Sequence, residues 1–531
     1  MKPADASLRE QPANPGHAVA SGEGPAAIVI LRPDSIGDLI LFEPLLRLLR
    51  EAWSRTRIHV VGTPSLDAVS RMMPSGILWH VVEDASPFQA PTRESIGRLK
   101  TAIGVIGGPV WLLSACTRKT WWDAAVPALG EFNRRISLGP VPVGGDLLRS
   151  LAKAGLDGTP PGYPETVPLS TDKRERENVL ECASYLLGRA ASGVEPRLAV
   201  SPGAAAAADA LLAGHALEHG RFVACCPAGT SNVALKVWPA GRFARVLLDL
   251  QRERGLGLLI FGTLAEEAVV AEVADRVAAA GGTARVWLGR TTADFEVLCG
   301  LLARAALYVG NDTGPMHAAA ALNLPVVGVF GGGTWPRFIP RAARGAAVVR
   351  PMPCFGCDWQ CDLGDAPCLR LVEPETVLDA ARAALDGAAF GIVCEGAHAS
   401  PEIDEMARVA ARHARSLRER IDNLVKVCEE QTRYIGDIDE AKQMIEADKR
   451  ALDGHLEVTK EEARQRLATL LEQNAFISDL EALVARLDGE KTALAARLEE
   501  TRAALARKQE LAAHLARQYE AAAKKAAAID A

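Results

Sequence analysis

The last 131 residues contain a single proline, Pro401 at their start, and no tryptophan, whereas the first 400 hold the other prolines and all nine tryptophans. That tail carries 22 Lys+Arg and 26 Asp+Glu, about 37% of its residues, against about 20% for the head. With no helix breaker, positions spaced by three and four form a mostly apolar series: Leu417, Ile421, Leu424, Cys428, Gln431, Ile435, Ile438, Lys442, Ile445, Lys449, Leu452 and Leu456. A stripe of that period lies on one side of a long helix. Leu480, Leu487, Leu494, Leu498 and Leu505 continue it after a register shift near Ala463–Asn474, which reads as a stutter. The expectation is a coiled coil over 402–528 that joins copies of the chain. Polar Gln431, Lys442 and Lys449 weaken the seam, and the alternatives are one solvated helix or helices folded back on the head. An interrupted seam does not choose between dimer and trimer.

The head alternates short aliphatic runs with amphipathic stretches. Ala27–Leu31, Ile58–Val61, Phe222–Cys226, Gly257–Phe261, Ala306–Val309 and Pro325–Phe330 read as buried strands, and helical patterns follow most of them. That alternation predicts α/β structure with parallel sheets. The runs form two groups, before about residue 165 and after about residue 220. Between them lies the low-complexity stretch 201–208, read as an interdomain connection. Two α/β domains facing a cleft are expected, 26–195 and 196–390, with an arm at 1–25 and a linker at 391–401.

Composition narrows the function classes. A hydrophobic content of 49% fills a core, and a net charge of −6 argues against a chain-wide nucleic-acid footprint. No apolar run reaches the roughly 18 residues of a membrane span. The first 25 residues, rich in Pro, Ala and Gly, have no continuous apolar stretch and read as a disordered arm rather than a signal peptide. Eleven cysteines, an odd number, suit reduced thiols in a cytoplasm.

Four segments carry chemistry. Arg32-Pro-Asp-Ser-Ile-Gly-Asp38 joins a buried strand to an amphipathic helix, so it sits at the carboxyl edge of a sheet, where open α/β folds bind ligands. Asp38 is there either a helix-end charge or a catalytic base. Pro227-Ala-Gly-Thr-Ser231 offers small residues and hydroxyls to phosphate oxygens, and Lys236 before Val-Trp-Pro239 adds a point charge or is a surface lysine. Gly310-Asn-Asp-Thr-Gly-Pro-Met-His317 places a helix start after a strand, so the N–H groups of Thr313 to His317 would face the cleft, a site suited to diphosphate. Asp312 then faces a sugar hydroxyl or caps the helix, and His317 donates to phosphate or packs. Glu266, past the strand Gly257–Phe261, suits ribose hydroxyls or is an exposed helix-start residue.

Taken in this order, the strand-Ser-Ile-Gly-Asp-helix opening, the Gly-Thr-Ser…Lys-Val-Trp-Pro segment, Phe-Gly-Thr-Leu-Ala-Glu and Asp-Thr-Gly-Pro-Met-His-Ala-Ala-Ala-Ala-Leu resemble glycosyltransferase family 9, the lipopolysaccharide heptosyltransferases. The resemblance spans about residues 26–390 and is thin between about 80 and 220. It implies the GT-B fold, two Rossmann-like domains with the acceptor on the first and an ADP-sugar on the second. Asp38 matches the family's catalytic aspartate, acting as general base in one inverting displacement. Lys236, with Thr230 and Ser231, would hold the diphosphate; Glu266 matches the glutamate that contacts the nucleotide sugar; Asp312, Thr313, Gly314 and His317 match the donor loop. No cofactor is required for that chemistry. The implied acceptor is Kdo-lipid A or another glycolipid, met by a cytoplasmic enzyme with peripheral contact at the inner membrane. Arg93, Arg98, Lys100, Arg118 and Lys119 are either contacts to its phosphates or a solvated face. The alternatives are a protein acceptor, as in the autotransporter heptosyltransferases, and a coiled-coil scaffold with a vestigial transferase head.

Cys354-x2-Cys357-x3-Cys361-x6-Cys368 sets four thiols in fifteen residues. That spacing can wrap a tetrahedral Zn²⁺ or iron in a structural role, or leave reduced thiols in a surface loop.

Overall fold

The computed structural model describes residues 24–396, apart from 107–109, 230–232, 234, 353 and 362, and beyond them the helical run 474–493 with scattered residues at 421–444 and 495–510. Most of the expected arm and much of 402–528 lie outside the described residues.

The first half is built from β1 (Ala27–Leu31), α1 (Ile36–Ala52), β2 (Arg57–Gly62), α2 (Ser65–Val69), β3 (Ile77–Val81), α3 (Arg93–Gly104), β4 (Val110–Ser114), α4 (Trp121–Ala125), β5 (Phe132–Leu138), α5 (Gly145–Lys153) and β6 (Glu165–Val167). α6 (Glu175–Leu187) then returns to pack on α1. The strands form one parallel sheet in the order β3-β2-β1-β4-β5-β6. Every residue of β1 is fully buried, as a central strand covered on both faces must be, which is why AIVIL is continuous rather than alternating. Leu99 and Ile103 of α3 and Trp121 and Trp122 of α4 close one side of that sheet.

The second half runs α7 (Pro202–His215), β7 (Phe222–Cys226), α8 (Ala240–Arg254), β8 (Gly257–Thr263), α9 (Glu267–Ala279), β9 (Arg285–Gly289), α10 (Asp294–Leu302), β10 (Leu307–Asn311), α11 (Gly314–Ala321), β11 (Val326–Phe330), β12 (Gly345–Val349), α12 (Pro367–Arg370), α13 (Pro374–Leu385) and β13 (Gly391–Cys394). Its seven parallel strands are ordered β13-β12-β11-β10-β7-β8-β9. In both sheets the strand order reverses next to the first strand, between β1 and β4 and between β7 and β10. Loops leaving the carboxyl ends on either side of such a switch open a crevice, the standard ligand position in doubly wound folds. The two halves together have the GT-B architecture.

Two stretches differ from the sequence reading. Residues 201–208 are not a loose connection but the start of α7: Ser201 caps it, accepting from the Ala204 N–H at 3.3 Å, and Pro202 occupies the first turn. Residues 391–394, assigned to a linker, pair with β12 as an edge strand whose exposed face hides it from a search for buried runs.

The tail, described by itself, is helical wherever it is described. Gln431 donates to Glu490 at 3.2 Å, and Lys442 pairs with Glu481. As the first partner advances by eleven residues the second recedes by nine, so the two helical stretches run antiparallel within one chain. Ile438, Ile477 and Leu487 are buried along that line. The sequence reading expects one long helix meeting another copy of the chain; residues 463–473, in the region read as a stutter, lie outside the described residues, and the stretches described on either side of them pair within one chain. Spacing alone cannot tell the two apart, because either arrangement presents the same stripe.

Candidate active site at the carboxyl ends of the two sheets

The loop after β1 is fixed by Arg32, whose side chain is completely buried. Its guanidinium donates to the Ala115 carbonyl at 2.7 Å and the Asp38 carbonyl at 3.0 Å, pairs with Asp34 at 2.9 Å, and lies 4.6 Å from the centre of the Phe42 ring. Burial pushes the Asp34 carboxyl up to about 7, against the pull of Arg32. One buried cation thus ties the ends of β1 and β4 to the first turn of α1. Asp38 stands in that turn, half-buried, and accepts a hydrogen bond from the Ser35 hydroxyl at 2.6 Å.

Across the switch point of the second sheet, Asn311 joins the ends of β10 and β7. Its amide donates to the Pro227 carbonyl at 2.8 Å and its oxygen accepts from the Trp238 N–H at 3.1 Å. Trp238 is wholly buried and donates to the Val372 carbonyl at 3.0 Å, which anchors the segment carrying Lys236. The Lys236 ammonium pairs with Asp312 at 3.1 Å, and His317 Nε2 lies 3.8 Å from the other Asp312 oxygen. Burial holds the His317 imidazole below its usual pKa, so it is neutral at pH 7 although Asp312 and Asp38 both favour its charge. Its Nδ1 is buried without a hydrogen-bond partner. A buried, orphaned polar atom of this kind calls for a ligand or water.

The two helix starts meet directly. A Cβ on Gly37 would stand 3.0 Å from the His317 ring, and one on Gly314 would stand 3.3 Å from Ile36. Glycine at 37 therefore lets α1 approach α11 and brings Asp38, His317, Asp312 and Lys236 to one place. Gly229, with φ +103°, passes so close to Thr313 that a Cβ would reach 2.1 Å from its methyl.

Some expected donors are committed elsewhere. The N–H groups of Met316 and His317 bond to the Thr313 carbonyl at 3.1 and 3.4 Å, and Pro315 has none. The expected row from Thr313 to His317 thus shrinks to Thr313 and Gly314, because the first turn begins its own ladder there. Glu266 accepts from the Gly229 N–H at 2.7 Å through one oxygen and from Thr263 through the other. It serves as a capping residue that also holds the loop after β7. Thr230 and Ser231 lie outside the described residues.

Phe338, which no sequence pattern singled out, stands beside the cluster. Its ring centre is 5.7 Å from the Lys236 ammonium and 6.4 Å from the His317 ring. A lone aromatic in a Pro-rich loop gives no periodicity to detect.

On the first half, a cavity of about 360 Å³ is lined by Phe88, Arg118, Lys119, Trp121, Pro142 and Leu147, among others. Arg118 lies 5.0 Å from the Phe88 ring centre, while Lys119 donates to Ser114 and is largely a support for the end of β4. Arg98 pairs with Asp84 and Glu94, and Arg93 and Lys100 are exposed.

Among the described residues no three His, Cys, Asp or Glu side chains are grouped to hold an ion. Cys354, Cys357 and Cys361 are half-buried in the segment 352–365, and Cys368 is buried in α12, where its sulfur accepts from the Gly332 N–H at 3.3 Å.

Comparison with known proteins finds sequence likeness in the second half. The model of "Glycosyltransferase family 9 (heptosyltransferase)" matches residues 175–360. Lipooligosaccharide heptosyltransferase 2 of Campylobacter jejuni is 27% identical over 169 residues, 31% of this chain and 52% of the relative. Lipopolysaccharide heptosyltransferase 2 of Escherichia coli K12 is 32% identical over 133 residues, 24% of this chain and 36% of the relative. The chain thus spans about half the length of the first of these relatives and about a third of the second. Among solved structures, the E. coli ADP-heptose lipopolysaccharide heptosyltransferase II is 19% identical, over 68% of this chain and 98% of that one, with a TM-score of 0.47. Asp38 lies outside the matched span. The likeness to glycosyltransferase family 9, the heptosyltransferase family, thus lies in residues 175–360, the stretch that holds Lys236, Glu266, Asp312 and His317.

Proposed function

We propose that this chain is an inverting glycosyltransferase that moves heptose from ADP-heptose to a lipopolysaccharide core acceptor such as Kdo-lipid A. The observation that supports the reading is the contact of α1 with α11, in which Gly37, next to Asp38, packs against the His317 ring in the helix that follows Asp312. Lys236 and the Thr313 and Gly314 N–H groups face the diphosphate, stabilising the negative charge that grows as the glycosidic oxygen departs. The Ser35 hydroxyl orients Asp38 through one oxygen. The other takes the proton of an acceptor hydroxyl as that oxygen bonds to the anomeric carbon and the bond to ADP breaks. Attack from the face opposite the diphosphate inverts the centre. Asp312, held by Lys236, is placed to accept from a sugar hydroxyl. The acceptor enters from the first half, where the cavity beside Arg118 and Trp121 offers a cation and aromatic faces to an anionic glycolipid. The enzyme works in the cytoplasm, at the inner surface of the membrane.

The test is ADP release from ADP-heptose by the purified protein, with and without Kdo-lipid A, with intact-mass analysis of co-purified proteins. Lipid-dependent release supports the reading, and heptose mass on a protein would move the acceptor to the autotransporter class. No turnover with either acceptor would overturn it. Asp38→Ala should cut turnover by a factor on the order of 10² to 10⁴ while ADP binds within about twofold of the parent. Lost ADP binding would make Asp38 a structural residue.

A further inference from the structure

The loop bearing Phe338 is tied to the other half of the head. Glu175, at the start of α6, is fully buried, and its carboxylate accepts from Arg337 Nε at 2.8 Å and from the Thr117 hydroxyl at 3.2 Å. The Glu175 N–H donates to the Arg337 carbonyl at 2.7 Å, so side chain and backbone join the same two residues. Thr117 follows β4 of the first sheet, whereas Arg337 follows β11 of the second. The Arg337 guanidinium then lies 4.7 Å from the Phe338 ring centre, and that ring reaches Lys236 and His317.

A carboxylate without solvent contact is strongly unfavourable unless it is paired, so Glu175 requires Arg337, and Arg337 is fixed in turn. Aromatic faces attract cations within about 6 Å, with a strength of roughly 0.5–2 kcal/mol. We propose that Thr117, Glu175, Arg337 and Phe338 form a strut from the acceptor half to the donor site, and that Phe338 is a positioning residue holding the Lys236 ammonium where the donor's diphosphate must find it. Without the ring face, only the ion pair with Asp312 orients Lys236, and the ammonium is held less firmly for the phosphates. The inference rests on the nucleotide-sugar reading of the site, and its test separates the two.

The measurement is ADP affinity of the full-length protein by calorimetry, with the unfolding midpoint of every variant. Phe338→Leu keeps the apolar bulk and removes the ring face, and should weaken ADP about fivefold. Phe338→Tyr restores the face and should bind within about twofold of the parent. Glu175→Gln should weaken ADP in the same direction, and the double variant Glu175→Gln/Phe338→Leu should be no weaker than Phe338→Leu alone, because both changes cut one chain of contacts. Should Phe338→Leu fail to fold, Arg337→Lys, which loses the planar fork, reads the same strut. Parental affinity in Phe338→Leu, failure of Tyr to rescue, or independent multiplying effects in the double variant would overturn the strut while leaving the transferase reading intact. A parent protein that binds no ADP overturns both.

Discussion

Gly229 shows how one missing methyl shapes the donor site. Its φ of +103° lies where residues with a side chain are strained, and its neighbour across the loop is the Thr313 methyl. Gly229→Ala should destabilise the head by about 2–4 kcal/mol, combining backbone strain with overpacking. Thr313→Ser removes the opposing methyl and should recover part of that loss, a non-additive pair that chemical denaturation can measure. Full additivity would place the cost in the backbone alone. The sequence displays Gly229 and Thr313 inside recognisable motifs but not their contact, which depends on β7 and β10 being neighbours. Arg32 was visible in the same way, as a residue of the first motif, while its burial beneath Asp38 was not. A cation at the end of a buried strand can point either to solvent or inward.

At the scale of elements, most strands covered on both faces are legible in the sequence, the buried β4 and β12 being the two it does not single out, and the edges are not. β1, β2, β7, β8, β10 and β11 are runs of aliphatic residues because helices cover both faces. β3, β9 and β13 are half-exposed, so their polar and apolar residues mix and no period stands out. α7 escaped notice because its alanines give no amphipathic contrast. It packs on α10 through small residues, where a Cβ on Gly300 would stand 2.8 Å from Ala208. The neighbouring strands β2 and β3 also carry a stacked histidine pair, His59 Nδ1 lying 2.9 Å from His80 Nε2. Burial and His80 hold His59 down at about 4, and burial lowers His80 as well. Unfolded, both titrate near the ordinary 6.5. Between those values the unfolded chain binds protons that the folded pair refuses, so stability present above pH 6.5 is lost as pH falls toward 4. The loss should be about 2 kcal/mol. His59→Phe, which has nothing to protonate, should flatten the slope of unfolding free energy over that window; an unchanged slope would assign it to other groups.

At the scale of the whole molecule, a neutral-leaning charge balance, an α/β head and a helical tail were all readable from composition, but the partner of the tail's apolar stripe was not. A heptad stripe states that a helix needs a neighbour and does not say which chain supplies it. Gln431 with Glu490 and Lys442 with Glu481 fill that need within one chain, and Ile438, Ile477 and Leu487 are buried in doing so. Where the seam is described, Ile438, Ile477 and Leu487 are covered within the chain itself, which favours a tail folded on itself over one shared between copies. Light scattering of the full chain and of a version ending at residue 396 should therefore give the same number of protomers. Lys442→Glu should lower the helical content of the tail by setting like charges against Glu481, without changing that number. A full chain of higher order than the truncated one would show that the same antiparallel pairs form between copies, with the tail exchanged rather than folded on itself. The outcome matters for the transfer reaction as well. If the head assembles without its tail, the tail is free to serve some other contact, whereas a tail-dependent oligomer would make every active site a member of a fixed cluster.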